Sequence, residues 1–456
     1  MRLGALLGTL LAFSSACLPS TFARSVTGDR VLVLVPAVEA ALHEYSVFLD
    51  SLERRGFDVS VRAAANSSVV LHTDGDRLYD HVALLAPAAK RLGAALSVQD
   101  FIDFVDTGGN MLVAASAALS DFQRRLAVQF GVEFDKRGTA VIDHSHYLRT
   151  KAPSNHTIVA ASRLSNIPAV LSPPLLADEH RAIYFEGIAH SYDSQIPLLA
   201  PLLTGSRSTY SGSPATAERP SSKSTQEQLS GRSLGLVSVF QSRSNARVVF
   251  AGSTALFSDA LISAEHSANG PFVTDISQWA FQEKAVLREI AHRHHLASAA
   301  SSSSSSEQPD HYRVANVISY EIDLSVYHDD KWHPYIADDV QFEATMLDPY
   351  LRLTLNHTQS ADSDAVATYH GDIKLPDRYG TFTFSVNYKR TGLSSIDVQD
   401  TVAIWPLRHD EYPRFLSAAY PYYAGSFVMV AGFLALCAAW LWNTEPAPKS
   451  SKPKSS

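Results

Sequence analysis

The sequence has only two cysteines in 456 residues, and both lie in apolar terminal segments. Cys17 lies in the N-terminal stretch and Cys437 near the C-terminus, so the residues between them can form no disulfide and supply no cysteine nucleophile. A chain of this length must then be held together by its hydrophobic cores and its neighbours. Its hydrophobic content of 46% allows such cores, and its 18% of charged residues argues against extensive disorder.

The sequence also has fewer basic than acidic residues. Lys and Arg together number 38 against 46 Asp and Glu, which gives a formal net charge of -8. Nucleic-acid binding depends on clustered cationic side chains that neutralise phosphates. We therefore expect no nucleic-acid partner.

Two apolar segments stand near the two ends of the chain. Residues 1–23 combine an early Arg2, an apolar stretch and small residues before the end, which is typical of a secretory signal peptide. Residues 424–442 carry no charge and, at about 1.5 Å per residue, reach roughly 28 Å, enough to cross a bilayer core. Tyr and Trp side chains flank this segment as an aromatic belt. The pattern predicts a single-pass type I membrane protein with most of the chain in the secretory lumen.

The predicted cytosolic tail, residues 443–456, is basic and ends in KPKSS. Lys452 and Lys454 stand fifth and third from the end of this sequence, which is the arrangement of a dilysine signal for retrieval to the endoplasmic reticulum. The alternative is a basic tail that only stops transfer through the membrane.

Apolar strand-like runs alternate with helical patterns through residues 24–296. RVLVLVP (30–36) is typical of a buried strand, and helices are predicted after the capping residues Ser97 and Ser120. One helix is predicted through Leu42, Tyr45, Phe48, Leu49 and Leu52 up to Gly56, and another through 276–295. This alternation predicts an α/β region with an open, mostly parallel sheet, in which residues 204–231 form a polar surface loop.

The character of the sequence changes across a Ser-rich linker at residues 297–310. Residues 311–412 show a period of two, which predicts short strands and a lumenal β-sandwich. The alternating apolar positions are Ile318, Tyr320, Ile322, Leu324 and Val326; Val340, Phe342, Ala344 and Met346; Leu351, Leu353 and Leu355; Phe382, Phe384, Val386 and Tyr388; and Val402 and Ile404. Residues 413–442 complete the chain above the tail, as a membrane-proximal segment and the transmembrane helix.

Two glycine-containing turns are candidate anion sites. A phosphate cradle requires a strand, then glycines, then a helix. Around Gly108 and Gly109 the predicted order is helix, glycines, strand, which indicates a helix C-cap and turn. The segment AGSTALFSD (251–259) has the required order but lacks a Lys and a second glycine, so a turn is favoured over an anion site.

Four further motifs resemble catalytic or metal sites. GRSLG (231–235) matches the hydrolase pattern G-x-S-x-G, but the strand follows Ser233 instead of preceding it. Asp74 with Asp76, and the DSD at 362–364, could chelate a cation, although Asp is common in such turns. HRHH (292–295) lacks an acidic or Cys partner at ligand spacing and is interpreted as a solvated helix end. We expect no catalytic residue, metal or cofactor in this chain.

Three Asn-X-Ser/Thr acceptors for N-glycosylation fall in the predicted lumenal part, at Asn66, Asn155 and Asn356. We expect that some of them carry glycans.

Several strings resemble a known family. FVDTGGNMLVAAS and ARVVFAGSTALFSD in the first half, and MLDPYLRLTL and RHDEYPRFLSAAYPYYAGSF in the second, are similar to the oligosaccharyltransferase forty-eight-kilodalton subunit family, the Wbp-type subunits. The likeness runs from about Arg30 to the tail. The loop at 204–231 and the serines of the linker depart from it.

The resemblance implies a membrane complex of the endoplasmic reticulum that transfers a preassembled oligosaccharide from dolichyl diphosphate to Asn of Asn-X-Ser/Thr sequons. It implies a non-catalytic lumenal scaffold with three partners: a multi-span catalytic subunit, a ribophorin II or Swp-type subunit and a small DAD-type subunit. It also implies an N-terminal α/β fold shared with gliding-motility and intraflagellar-transport proteins.

Two other functions remain open from the residues alone. One is a stand-alone lumenal hydrolase or transferase that uses Ser233 or the pair Asp74 and Asp76. The other is a lumenal receptor for cargo or sugar, which has the same topology but would travel between compartments.

Overall fold

The computed structural model describes residues 25–66, 68–73, 75–93, 96–148, 156–177, 182–213, 229–297, 308–358, 365–412 and 416–443. The predicted signal peptide at 1–23, the tail beyond residue 443 and most of the predicted linker lie outside the described residues. So do Asp74, Asn155, residues 362–364, Lys452 and Lys454.

The first part of the chain contains the elements that the sequence predicted as alternating, together with several short strands. Its helices are α1 (Val38–Glu44), α2 (Ser46–Arg54), α3 (Val98–Asp106), α4 (Asp121–Gln129), α5 (Pro173–Ala177), α6 (Asp259–Ile262) and α7 (Asn269–Ala280). Its strands are β1 (Arg30–Val35), β2 (Asp58–Ala63), β3 (His72–Thr73), β4 (Asp76–Arg77), β5 (His81–Leu84), β6 (Asn110–Ala114), β7 (Val132–Phe134), β8 (Ala140–Ile142), β9 (Val159–Ala161), β10 (Arg163–Leu164), β11 (Ile183–Phe185), β12 (His190–Tyr192), β13 (Leu199–Thr204), β14 (Tyr210–Gly212), β15 (Gly235–Gln241) and β16 (Arg247–Ala251).

Ten of these strands form one sheet, and the sheet is mixed. The strands β2, β1, β5, β6 and β16 are parallel neighbours, whereas β15, β13 and β10 continue the sheet in antiparallel pairs. The prediction of a mostly parallel sheet is therefore correct for one half only. The reason lies in the connections, because residues 242–246 are long enough for a hairpin between β15 and β16 but too short for a parallel crossover.

Both faces of this sheet are covered by apolar side chains. Val31, Val33 and Val35 of β1 belong to one core with α2 and α7, and Leu32 and Leu34 belong to a second core with α3 and α4. Successive side chains of a strand point to opposite faces. The unbroken apolar run of β1 is thus explained by burial on both sides.

The helix predicted from about residue 40 up to Gly56 is broken. α1 ends at Glu44 and α2 begins at Ser46, and Tyr45 between them is not helical. The carboxylate of Asp259 caps the new start, since it accepts from the Ser46 amide (3.1 Å), the Ser46 hydroxyl (2.6 Å) and the Val47 amide (2.9 Å). Leu42, predicted on the apolar face, is exposed for this reason.

The second part of the chain is rich in β-structure. Its strands are β17 (Val286–Leu296), β18 (His311–Arg313), β19 (Val317–His328), β20 (Lys331–Pro334), β21 (Gln341–Met346), β22 (Asp348–Thr354), β23 (Asn356–Thr358), β24 (Ala367–Lys374), β25 (Gly380–Tyr388) and β26 (Ile396–Trp405). They form two five-stranded sheets, one built around β19 and β24 and one around β25 and β26. One hydrophobic core takes side chains from both sheets and includes most of the alternating positions predicted above. The exposed Leu353, on the edge strand β22, is an exception.

The prediction of a helix through residues 276–295 is wrong beyond Ala280. Residues 286–296 form the strand β17, which pairs antiparallel with β19 and thereby belongs to the second part of the chain. A bulge between Glu289 and Ala291 leaves Ile290 as an extra residue. The extra residue interrupts the alternation of apolar and polar positions along β17. The apolar residues of this segment are therefore spaced in the sequence as they would be in a helix.

A buried polar joint connects the two parts of the chain. On the first part it consists of Asn245, Arg247 and Trp279, and on the second of residues 392–395, between β25 and β26. Arg247 is fully buried and donates to the carbonyls of Trp279 (2.9 Å), Lys284 (2.7 Å) and Ala285 (2.6 Å). A further bond runs from its guanidinium to the Ser394 hydroxyl at 3.3 Å.

Two more side chains complete the joint. The Trp279 indole donates to the Gly392 carbonyl at 2.7 Å, and the Arg247 guanidinium lies 4.9 Å from the indole centroid. The Asn245 amide oxygen accepts from the Ser395 amide and hydroxyl, both at 2.7 Å. The joint thus fixes the two parts through directional bonds.

After the second part comes α8 (Tyr420–Trp442), whose 23 residues correspond to about 34 Å of helix. Within the described residues it lies in the one helix, 417–442, that is long and apolar enough to cross a membrane. Its side chains are largely exposed, as expected for a surface that lipid would cover.

Arg247→Ala tests the joint. We expect it to lower the free energy of unfolding by about 3 kcal/mol or more, because it removes the four hydrogen bonds that the guanidinium makes and opens a cavity. The measurement is urea or thermal unfolding of the purified full chain in detergent. Arg243→Ala, at an exposed position of the same β15–β16 connection, is the control and should change stability by less than about 0.5 kcal/mol. Equal losses in the two variants would contradict the assignment.

Candidate functional site

Gly108 and Gly109 connect the end of α3 to the start of β6. Gly108 has a φ of +95°, and its amide bonds the Val105 carbonyl at 3.0 Å. A Cβ on Gly109 would lie 2.4 Å from the Phe104 ring. The predicted C-cap and turn are confirmed, and the order of elements is the reverse of a phosphate cradle.

The segment 251–259 runs from β16 through a turn into α6. The Ser253 hydroxyl donates to the Glu186 carbonyl at 2.6 Å and accepts from the Leu256 amide at 3.1 Å. Asp259 caps α2, as described above. The polar groups of this segment therefore close a turn and fix a neighbouring helix, as the favoured interpretation predicted.

Ser233 lies at the end of a short 3-10 helix (Gly231–Ser233), directly before β15. Its hydroxyl donates to the Ser230 carbonyl at 2.9 Å. A nucleophile elbow would require the strand first and a helix second. The local order is the one that the sequence analysis predicted, and it does not present Ser233 as a nucleophile.

Asp76 lies exposed in the two-residue strand β4, opposite Thr73 of β3. Gly75 between them has a φ of +93°, so the segment is a tight turn. The partner carboxylate Asp74 and the DSD at 362–364 fall outside the described residues. Among the residues that are described, no group of three or more His, Cys, Asp or Glu side chains could hold a metal ion.

The HRHH segment lies in β17, so its interpretation as a helix end is wrong. His292 stands between two carboxylates, with Glu289 at 2.5 Å and Asp400 at 3.0 Å. Partial burial lowers the pKa of His292, but the two carboxylates outweigh it and the net shift is upward. His294 points into the core, where its ring contacts the Tyr312 hydroxyl at 2.7 Å.

Two fully buried histidines were not singled out by the sequence analysis. His190 contacts the Ser238 hydroxyl at 2.7 Å, and burial lowers the pKa of His190 to about 3. His81 lies between the Gly28 carbonyl (3.0 Å) and Asn110 (3.2 Å), and burial lowers its pKa to about 4. Both rings and Ser238 are inaccessible to solvent. Each is a neutral hydrogen-bonded part of the core.

A polar cluster around the buried Asp143 was also missed. The Asp143 carboxylate accepts from the hydroxyls of Ser206 (2.7 Å), Ser208 (2.9 Å) and Thr209 (2.9 Å), and from the amide of Ser145 (2.8 Å). Burial would raise the pKa of Asp143, but these donors prevail and lower it to about 2. The cluster holds the start of the predicted 204–231 loop against the turn after β8. The sequence signal was an Asp directly after a buried strand.

The described glycosylation acceptors lie at accessible positions. The Asn66 side-chain oxygen accepts from the Ser68 amide (3.0 Å) and hydroxyl (2.9 Å), so the first and third residues of this sequon are in direct contact. Asn356 is exposed at the start of β23, an edge strand of its sheet. Asn155 lies outside the described residues.

The geometry defines a class of protein: a mixed-sheet part and a β-rich part joined by buried polar bonds, followed by one helix that could span a membrane. Most of its motif residues close turns, cap helices or pack in cores. Two family models match the chain, described as OST48, N-terminal domain, over residues 22–283 and OST48 middle domain over residues 296–444. The chain belongs to the OST48 family.

Curated relatives cover nearly the whole chain. It is 34% identical to the Arabidopsis thaliana dolichyl-diphosphooligosaccharide–protein glycosyltransferase 48 kDa subunit, over 91% of this chain and 93% of that one. The Caenorhabditis elegans 48 kDa subunit is 35% identical, over 93% and 94%. The Schizosaccharomyces pombe subunit wbp1 is 34% identical, over 94% and 95%.

Among solved structures, a ThuA-like protein from Parabacteroides merdae aligns with 55% of this chain and 89% of its own, at 13% identity and a TM-score of 0.26. This likeness is too low to support an argument.

His292 predicts a pH-dependent contribution to stability. Its pKa is higher in the folded chain than the ordinary 6.5, so the contribution is complete below about pH 6.5 and is lost as the pH rises through the folded value. We expect His292→Gln to destabilise by about 1 kcal/mol at pH 6 and by less at pH 9. Unfolding of both proteins at the two pH values measures this. A destabilisation that is equal at the two pH values would contradict the prediction.

The acceptors predict glycans on the chain itself. We expect Asn66→Gln and Asn356→Gln each to remove one glycan, seen as a step in gel mobility that peptide-N-glycosidase abolishes in the wild type. Ser68→Ala and Thr358→Ala should give the same steps, since they destroy the sequons but keep the asparagines. Mobility that the glycosidase leaves unchanged would contradict the prediction.

Proposed function

We propose that this chain is a subunit of the oligosaccharyltransferase complex, which transfers a preassembled oligosaccharide from dolichyl diphosphate to Asn of Asn-X-Ser/Thr sequons. The observation that carries the proposal is the similarity to named subunits of this enzyme over more than nine-tenths of the chain. Similarity of that extent covers both parts of the chain and the apolar helix. It therefore concerns the whole architecture and not one shared domain.

Within the complex we propose a non-catalytic role as a lumenal scaffold that helps to position substrates. Ser233 and Asp259 make structural hydrogen bonds, to the Ser230 carbonyl and to Ser46 at the start of α2, and this supports the role, as does the turn that contains Asp76. A scaffold needs parts whose orientation is fixed, and the buried joint around Arg247 supplies such a constraint. The proposed partners are a multi-span catalytic subunit, a ribophorin II or Swp-type subunit and a small DAD-type subunit.

The proposed topology is single-pass type I in the endoplasmic reticulum membrane, with a signal peptide at 1–23 and a cytosolic tail at 443–456. Lys452 and Lys454 would act as the retrieval signal, and Asn66, Asn155 and Asn356 would face the lumen. We propose that the two five-stranded sheets form a β-sandwich, which is supported by the core that they share. We assign strand β17 to the β-sandwich, because it pairs with β19. The proposed α/β region therefore ends before β17, and the boundary between the two parts precedes the 297–310 linker.

The proposal predicts the result of depletion followed by complementation. Loss of this chain should cause underglycosylation of many secreted proteins, and wild-type chain should restore it. Ser233→Ala and Asp76→Asn should restore glycosylation equally well, because neither side chain is proposed to react. The measurement is the gel mobility of several glycoprotein reporters.

Co-purification in mild detergent distinguishes the alternatives. We expect the tagged chain to carry a multi-span glycosyltransferase subunit with it, and to transfer no oligosaccharide when purified alone. Failure of Ser233→Ala to complement would favour the stand-alone hydrolase or transferase. A chain that is free of companions and cycles between compartments would favour the receptor.

A further inference from the structure

Three apolar side chains lie at one end of the second part of the chain. β26 leaves its sheet at Trp405, and Gly380 at the start of β25 pairs with Ile404, so Tyr379 lies at the same end. Thr345 of β21 pairs with Thr383 of β25, which places the β21–β22 turn at Leu347 there too. We call this end, with Leu347, Tyr379 and Trp405, the exit end. Neighbouring strands are about 4.8 Å apart, so the three side chains span adjoining strands of one sheet.

These side chains are unusually exposed for their types. Leu347 is 104% exposed, Tyr379 is 71% exposed and Trp405 is 46% exposed. Leu347 also has a φ of +68°, in the left-handed region that favours glycine. A grouped exposure of large apolar residues marks a surface that something else covers. A strained backbone that holds an apolar side chain in solvent points the same way.

A short stretch of chain connects the exit end to the start of α8. Glu411 lies 3.7 Å from Arg313, and Arg313 also donates to the Pro406 carbonyl at 2.8 Å. Only eight residues stand between Glu411 and Tyr420, and the nine steps from one to the other correspond to at most roughly 30 Å of extended chain. The opposite end of the same sheet, at Ser394 and Ser395, is occupied by the joint with the first part of the chain.

We propose that the exit end rests in the headgroup interface of the membrane that α8 spans, with Leu347 and Tyr379 inserted and Trp405 beside them. Tyr and Trp favour this zone because one end of the ring is apolar and the other is wet. The nearby exposed charges have both signs, Lys374 and Arg378 against Asp348 and Asp377, so no preference for anionic lipid is expected. The inference rests on the proposed membrane span.

The test measures lipid contact residue by residue. The full chain with Cys17→Ser and Cys437→Ser receives one new cysteine, Leu347→Cys or Tyr379→Cys, labelled with an environment-sensitive fluorophore. The protein is reconstituted into phosphatidylcholine vesicles, with and without lipid that carries a nitroxide at the headgroup. We expect the nitroxide lipid to quench most of the fluorescence at both positions. We also expect the emission maximum of each label to lie at a shorter wavelength than that of the same fluorophore free in buffer.

Ile336→Cys is the matched control. Ile336 is 64% exposed and directly follows Tyr335, whose hydroxyl contacts the Tyr388 hydroxyl at 2.8 Å. Tyr388 pairs with Ile396 at the end of the sheet opposite to Trp405. Ile336 is therefore an exposed apolar residue near the end of the sheet that we expect to face away from the membrane. Its label should stay unquenched by the lipid and be open to aqueous iodide. Equal, weak quenching at all three positions would overturn the inference.

Two further outcomes separate the causes of failure. A chain that an alkaline carbonate wash removes from the vesicles has no span, which overturns both this inference and the proposed topology. The same labels are also measured in the purified complex in lipid nanodiscs. Labels there that are shielded from both nitroxide lipid and iodide would show that a partner subunit covers the exit end, which overturns the inference and leaves the proposed function standing.

Discussion

The structure depends on one buried cation, the guanidinium of Arg247. Burial lowers its pKa to about 9, so it remains charged at neutral pH and must be surrounded by acceptors. Three backbone carbonyls, of Trp279, Lys284 and Ala285, fill this role. These carbonyls belong to the last turn of α7 and to the two residues before β17, so solvating one charge also fixes the corner at which the mixed-sheet part becomes the β-rich part. Because a buried charge without partners is very unfavourable, the corner has little freedom to open.

The sequence could not predict this corner, and the reasons are physical. The acceptors of Arg247 are backbone carbonyls more than 30 residues away, which leave no pattern of side-chain types. β17 was hidden by its bulge at Ile290, since one extra residue changes the apolar spacing from that of a strand to that of a helix. Local signals were more reliable, as the capping box at Ser97 and the turn at Gly108 show, because every atom involved lies within a few residues.

The same distinction applies to the candidate sites. Asn66 was found from its motif, and its turn with Ser68 is local, whereas the placement of Asn356 on an edge strand depends on strand pairing. His292 was noticed, but one of its carboxylates, Asp400, is more than 100 residues away in the chain. The sequence analysis also did not predict that the strands beyond β16, namely β15, β13 and β10, pair antiparallel, and the reason is similar. Strand patterns state that a segment is buried and extended, but the neighbour of a strand is decided by connection length and packing.

Because no cysteine lies between Cys17 and Cys437, the two parts of this chain need another means of holding their relative orientation. At the corner this means is buried charge: Arg55 pairs with Glu283 at 2.6 Å, and Lys284 pairs with Asp275 at 2.7 Å. Such pairs contribute less to net stability than apolar packing of the same volume, but they accept few alternative geometries. At the corner, polar groups thus fix the orientation of the mixed-sheet part relative to the β-rich part. A fixed direction between its parts is what the proposed scaffold role requires.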